Sequence, residues 1–205
     1  MRELLDRSSG ERLGPAEYRA EFLERFWAIT RHDFWKLERQ QTFAEPGDRS
    51  WEAFRAGDWD RALRLIEARR EALLAEGRRM AGLGLTSYRV RVVARPVTAY
   101  LQWELQLLRL LGECSDSVRV IGVEAAEPFE DAGVLPEVVT LGDDLTYEVL
   151  YDDNGELSGA TRFADPALTT RCRELIQRLY KAGEDIGGFF AREVAHLSPP
   201  QSVHP

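Results

Sequence analysis

The chain has 205 residues, with 27 Lys and Arg against 35 Asp and Glu, 44% hydrophobic residues and two cysteines. Five Trp and nine Phe at that length exclude a disordered composition and allow a sizeable core without disulfides or metals. A net charge of -8 disfavours broad nucleic-acid binding, and no apolar run reaches the ~18 residues of a membrane span.

Residues 1–14 are polar and read as a flexible N-terminus, without the apolar stretch of a signal peptide. A helical pattern starts at Pro15, where proline suits a first turn. Leu23, Trp27, Thr30, Phe34, Leu37 and Gln41 recur at three- and four-residue steps, which predicts one helix face running to the break at Glu45-Pro-Gly-Asp48. Ser50 reads as the cap of a short helix over 51–56. Asp58 caps another helix whose Trp59, Leu63, Ile66 and Leu73 share a face, closed by Gly77 and Gly82-Leu-Gly84.

The period then changes to two. In Ser87–Val93, Tyr88, Val90 and Val92 fall on one face and Arg89 and Arg91 on the other, a strand pattern. A helix follows over 99–111 and a strand over 118–123. Further strands are predicted over 135–141 and 147–151. Asp152-Asp-Asn-Gly155 predicts a tight hairpin, with the return strand over 156–163. Asp165-Pro166 opens a long helix carrying Leu168, Cys172, Leu175 and Leu179. A last helix covers 189–196, and 198–205 read as a flexible tail. The expected fold is α+β: an N-terminal helical segment packed on a mixed, mostly antiparallel sheet with a long C-terminal helix. Residues 15–197 form one composite domain, helical over 15–84 and α/β over 85–197.

The charge is uneven. Residues 1–113 carry 20 basic and 18 acidic residues, whereas 114–205 carry 7 and 17. Only Lys36 and Lys181 are lysines. Cys114 and Cys172 are too few for a disulfide scaffold and fit a reducing, cytoplasmic compartment.

Glu104 is the most informative position. On a 100° wheel, Gln102, Gln106 and Arg109 form the wet face of the 99–111 helix, and Glu104 falls opposite, among Tyr100, Leu108 and Leu111. A carboxylate there needs a partner. Arg91, with Arg89 beside it, is the nearest cation on the preceding strand. An Arg91–Glu104 pair is therefore expected, either fixing how helix and strand dock or meeting a ligand. If both line a cavity of ~300 Å³ or more, an enzyme with Glu104 as base and Arg91 holding an anion gains weight.

His32, between Arg31 and Asp33, is a weaker acid–base candidate, because neighbours on a helix face different ways. No HExxH or CxxC spacing is present, so neither a metal nor a cofactor is expected. Nine aromatics between Phe22 and Trp59 exceed what one helical face can bury. Trp35 and Arg31 are accordingly candidates for a binding surface, beside Arg89, Arg91 and Glu104.

Arg31-His-Asp-Phe-Trp-Lys-Leu-Glu38, Ser50-Trp-Glu-Ala-Phe54, Gly57-Asp-Trp59, Arg89-Val-Arg-Val-Val93, Tyr100-Leu-Gln-Trp-Glu-Leu105 and Leu135-Pro-Glu-Val-Val139 resemble a Streptomyces-type actinobacterial family of unknown function, over about residues 20–197. Members of that family are often encoded near helix-turn-helix regulators, and others in specialised-metabolite clusters. The resemblance implies a regulatory or accessory context and carries over no catalytic residue. The expectation is a cytoplasmic accessory or signalling protein that binds a partner protein or small ligand, with no membrane and no nucleic acid. The alternative is a small-molecule or peptide-modifying enzyme using Glu104 with Arg91.

Overall fold

A computed structural model describes residues 5–130 and 133–200. Among these, eight strands form one mixed sheet: β1 (Glu11–Leu13), β2 (Asp33–Glu38), β3 (Thr86–Val93), β4 (Asp116–Gly122), β5 (Glu137–Leu141), β6 (Leu145–Tyr151), β7 (Leu157–Phe163) and β8 (Glu184–Asp185). Their spatial order is β1-β7-β6-β5-β2-β3-β4-β8. The pairs β2–β3 and β3–β4 are parallel and the other five antiparallel, so the fold is α+β with a mixed, mostly antiparallel sheet.

The helices are α1 (Pro15–Ala28), α2 (Arg49–Arg55), α3 (Trp59–Glu67), α4 (Arg70–Leu83), α5 (Ala99–Cys114), α6 (Val123–Ala126), α7 (Pro166–Ala182) and α8 (Ile186–Glu193). Parallel strands need long crossovers. The β2–β3 connection supplies α2 to α4, and α5 alone joins β3 to β4. Side-chain caps start most of them: Asp48 accepts from Ser50 N at 2.8 Å, Asp58 from Arg61 N at 3.1 Å and Thr98 from Leu101 N at 3.2 Å. Asp48, not the expected Ser50, caps α2, with Ser50 inside the helix, and the one helix expected from Asp58 past Leu73 is two, α3 and α4.

The main correction lies at residues 30–41. The helix expected to reach Gln41 ends at Ala28, and Asp33–Glu38 is instead a strand at the centre of the sheet. Arg31 turns the chain with φ 54°. The three- and four-residue spacing was a coincidence of a strand buried on both faces, which a short apolar run does not distinguish from helix. Within the polar N-terminal stretch, Glu11–Leu13 pair with β7 and Leu5 is buried; residues 1–4 and 201–205 lie outside the described residues. Gly77 does not end a helix. It sits inside α4, where a Cβ would come within 2.5 Å of the Cys114 carbonyl of α5. Gly155 turns the β6–β7 hairpin with φ 77°, as its Asn-Gly predicted.

The two sheet faces differ. On one, Trp35, Leu37, Val90, Val92, Ile121 and Val138 pack against α7 through Leu175, Ile176 and Leu179. On the other, α1 covers an apolar cluster around Phe34, Val139, Leu141 and Tyr147. Leu101, Trp103, Leu105 and Leu108 of α5 cover a second cluster with Val118 and Val120. The strip between these clusters, along β2 and its neighbours, is charged.

Candidate functional site

Strand alternation explains the charged strip. Lys36 and Glu38 of β2 and Arg89 and Arg91 of β3 share the face opposite α7, and the parallel register sets Lys36 beside Arg89 and Glu38 beside Arg91. Arg91 Nε donates to Glu104 Oε2 at 2.7 Å, so the expected pair is present, with Arg91 wholly buried and Glu104 6% exposed. Tyr100 Oη donates to the other Glu104 oxygen at 3.3 Å, and Arg91 Nη1 donates to the Val92 carbonyl at 3.1 Å. Burial pushes the Glu104 carboxyl upward while Arg91 pulls it back.

Glu38 is the hub that sequence reasoning missed. Its Oε1 lies 2.6 Å from Lys36 Nζ, and its Oε2 accepts from Arg89 Nη1 at 2.9 Å. Burial alone would raise this carboxyl, yet Arg89, Lys36 and Arg91 together hold it well below the carboxylate range. Arg89 also reaches Asp116 Oδ2 at 3.5 Å. The three cations Lys36, Arg89 and Arg91 are therefore matched by the carboxylates of Glu38, Glu104 and Asp116.

Two further carboxylates have no such match. Beside Lys36 a cavity of about 230 Å³ opens under α1, bordered among others by Tyr18, Arg19, Glu45, Glu137 and Tyr151. Glu137 is 8% exposed. Its Oε1 accepts from Arg39 N at 2.8 Å and Gln40 N at 2.6 Å, while its buried Oε2 has no partner among the described residues. The Arg39 guanidinium is occupied elsewhere, by Glu130 at 2.7 Å. Burial, with Glu38 adding to it, pushes the Glu137 carboxyl up to about 7 against those two N–H donors. Burial likewise raises half-buried Glu45 to about 7, with Lys36 opposing and Glu104, Glu38 and Asp48 reinforcing.

Neither Arg91 nor Glu104 borders this cavity. Their pair is a sealed joint between β3 and α5. The model of the family described as a domain of unknown function, DUF6879, matches residues 20–191. The chain belongs to that family. No curated protein matches it. The match runs from within α1 to within α8, so it holds the charged strip and the cavity lining except Tyr18 and Arg19.

The remaining sequence candidates fall elsewhere. Trp35 is on the α7 face, 5% exposed, its ring stacked on Tyr88 at 4.1 Å and met edge-on by Tyr180. It is core, not a binding surface. His32 precedes β2 and is not on a helix; its Nδ1 accepts from Asp33 N at 2.7 Å and its Nε2 lies 2.6 Å from Asp143 Oδ1. With Nδ1 accepting from the backbone and Nε2 contacted by both Asp143 and Arg173 Nη1, at 3.2 Å, neither ring nitrogen is free for acid–base work. Arg31 is exposed beside it on an open depression with Asp33 and Gly84. Of the nine front aromatics, Phe34, Trp35, Phe43, Trp51 and Phe54 are buried. The outward apolar surface of α1 centres on Leu23, 57% exposed, with Trp27 under the Arg79 guanidinium at 3.7 Å.

Glu45 and Glu137 were both in view in the sequence, as part of a helix break and as the start of a Val-rich strand. The one local signal was a carboxylate directly before Val138-Val139 in a segment buried on both faces. That these two lack counter-charges emerges only once Lys36, Arg89 and Arg91 are seen to be taken.

Proposed function

We propose that this chain is an accessory module that binds a small ligand in the cavity between α1 and β2. The carrying observation is Glu137, which borders that cavity and whose buried carboxylate keeps one oxygen, Oε2, without a partner among the described residues. A buried acceptor left unsatisfied costs about 1–3 kcal/mol, a penalty that a ligand donor would remove. The cavity lies on the α1 side of the sheet, bordered by β2, β5 and β6 next to the charged strip, and concave sites with a few polar groups are common ligand sites. At about 230 Å³ it suits a molecule smaller than the occupants of drug-sized pockets, roughly 300–1,000 Å³.

A cytoplasmic, actinobacterial setting beside helix-turn-helix regulators or in specialised metabolism accords with the family resemblance, and a ligand-holding accessory protein suits it. A partner-docking role has the Leu23–Trp27 surface of α1 as its support. An enzyme using Glu104 as base with Arg91 has less, because that pair is sealed away from the cavity. Native mass spectrometry of the protein purified from its host tests the ligand reading, with Ala44→Phe as the control that fills the cavity from a half-buried wall. A retained small mass that Ala44→Phe loses, without loss of fold, is the expected result. No retained mass, together with no thermal shift on adding a host metabolite extract, would sink it.

A further inference from the structure

We infer that the ligand is an organic cation, a primary amine or guanidinium compound, whose charge is taken up by Glu45 and Glu137. This rests on the reading of the cavity as a ligand site and names the chemistry of its occupant.

In the charged strip every cation has a carboxylate within 2.6–2.9 Å: Lys36 and Arg89 on Glu38, and Arg91 on Glu104. Arg89 reaches Asp116 besides. The charges of these cations are thus matched within the strip, although Arg89 Nε and Arg91 Nη2 are buried without a hydrogen-bond partner among the described residues. Glu45 makes no ion pair among the described residues, and Glu137 is held only by two backbone N–H groups on one oxygen, leaving Oε2 buried and bare. Two cations also border the cavity: Lys36, whose ammonium is held by Glu38, and Arg19, an exposed side chain of α1. Once deprotonated, above about pH 7, Glu45 and Glu137 give the cavity surplus negative charge. In that state an anionic ligand would add a third uncompensated charge beside these two, and a neutral one would leave both uncompensated. An ammonium or guanidinium supplies donors and the opposite charge to the carboxylates that border the cavity, the charge-assisted contact that is strongest in a partly desolvated site. The aromatic walls of Tyr18 and Tyr151 suit the same guest, since ring faces attract cations.

The test uses three four-carbon probes of matched size: 1,4-diaminobutane, 1,4-butanediol and succinate. Titration calorimetry at pH 8 and low ionic strength measures each against the full chain. Saturable one-site binding of the diamine alone is expected, weakened at least tenfold by Glu137→Gln and by Glu45→Gln. The amide introduced by Glu137→Gln keeps an oxygen for the Arg39 and Gln40 N–H groups, and Glu45 is only half-buried, so at least one variant reports on a folded protein; circular dichroism identifies it. If the diol or succinate binds and the diamine does not, the cation assignment fails while the cavity survives as a ligand site. Diamine binding that both variants leave unchanged also overturns the assignment. Failure of all three probes overturns it too, and the host-purified protein then decides the cavity reading separately: a retained mass without a basic nitrogen preserves that reading, and no retained mass ends both.

Discussion

The two faces of β2 and β3 are built from alternate residues of the same two strands, yet they solve opposite problems. Toward α7, Trp35, Leu37, Val90 and Val92 make a dry apolar layer whose stability needs nothing but packing. One residue along in each case, Lys36, Glu38, Arg89 and Arg91 place charge where a second apolar layer would be expected. Buried ion pairs rarely exceed hydrophobic replacements in stability. Charge on that face is therefore poorly explained as a way to hold the sheet together. It is better explained by what it does locally: it fixes α5 on β3 and consumes every inner cation next to a cavity that keeps two free carboxylates.

The largest expected effect breaks the comparison at Arg91–Glu104. Removing one partner, as in Glu104→Leu, leaves a wholly buried guanidinium uncompensated and should cost about 3–5 kcal/mol in denaturant unfolding. Replacing both, as Arg91→Met with Glu104→Leu, makes this part of the face resemble the α7 side and should recover most of that loss. The cavity does not touch the pair, so the double variant should still bind the diamine. If the double variant is as unstable as the single one, the strip contributes more than electrostatic matching. If it loses diamine binding at unchanged stability, the pair belongs to the ligand site after all.

That pair was legible in the sequence because both halves of it are local. A strict alternation set Arg89 and Arg91 on one side of a strand, and a wheel set Glu104 on the dry side of the next helix. The hairpin at Asn154-Gly155 was legible for the same reason. β2 was not, because a strand buried on both faces loses the polar alternation that would identify it, and its residues happened to extend the spacing of α1. Once β2 is misread, Glu38 leaves the sheet and the charge balance cannot be drawn. The cavity carboxylates were hidden one step further. Glu45 and Glu137 are separated by nearly half the chain, and their lack of partners is a property of β2, β3, β4 and α5 assembled together.

A smaller effect sharpens the comparison through pH. On the apolar face burial pushes the Cys172 thiol up to about 11 and raises the Tyr88 phenol, so the pH response of this core near neutrality comes from the charged side. Glu45 and Glu137 titrate near 7 when folded and near 4.5 when unfolded, so the native state binds more protons between those values. Their favourable contribution is complete below about pH 4.5 and is lost as pH rises through 7. Glu38 has the opposite sign: held low by Arg89, Lys36 and Arg91, it contributes above 4.5 and loses that contribution as pH falls. The melting temperature should therefore decline from pH 5 to pH 8. For Glu137 alone the change from 4.5 to about 7 is worth up to about 3 kcal/mol. Glu137→Gln should flatten that decline and leave the acid-side loss intact. A variant that keeps the full slope would show that Glu137 is ionised at neutral pH and already compensated.

The smallest effect concerns His32, where charge sits outside both layers. Its partner Asp143 has a side chain 73% exposed and is also reached by Arg173 at 3.1 Å. Arg173, with His32 adding to it, keeps that carboxyl below its usual value, so Asp143 stays ionised and paired when the imidazole is removed. An exposed pair of this kind contributes about 0–1 kcal/mol. His32→Ala should accordingly cost less than about 1 kcal/mol and leave diamine binding unchanged, because nothing connects His32 to the cavity wall. A tenfold loss of binding in His32→Ala at unchanged stability would mean that the open depression beside Arg31, not the cavity beside Lys36, is where the ligand sits.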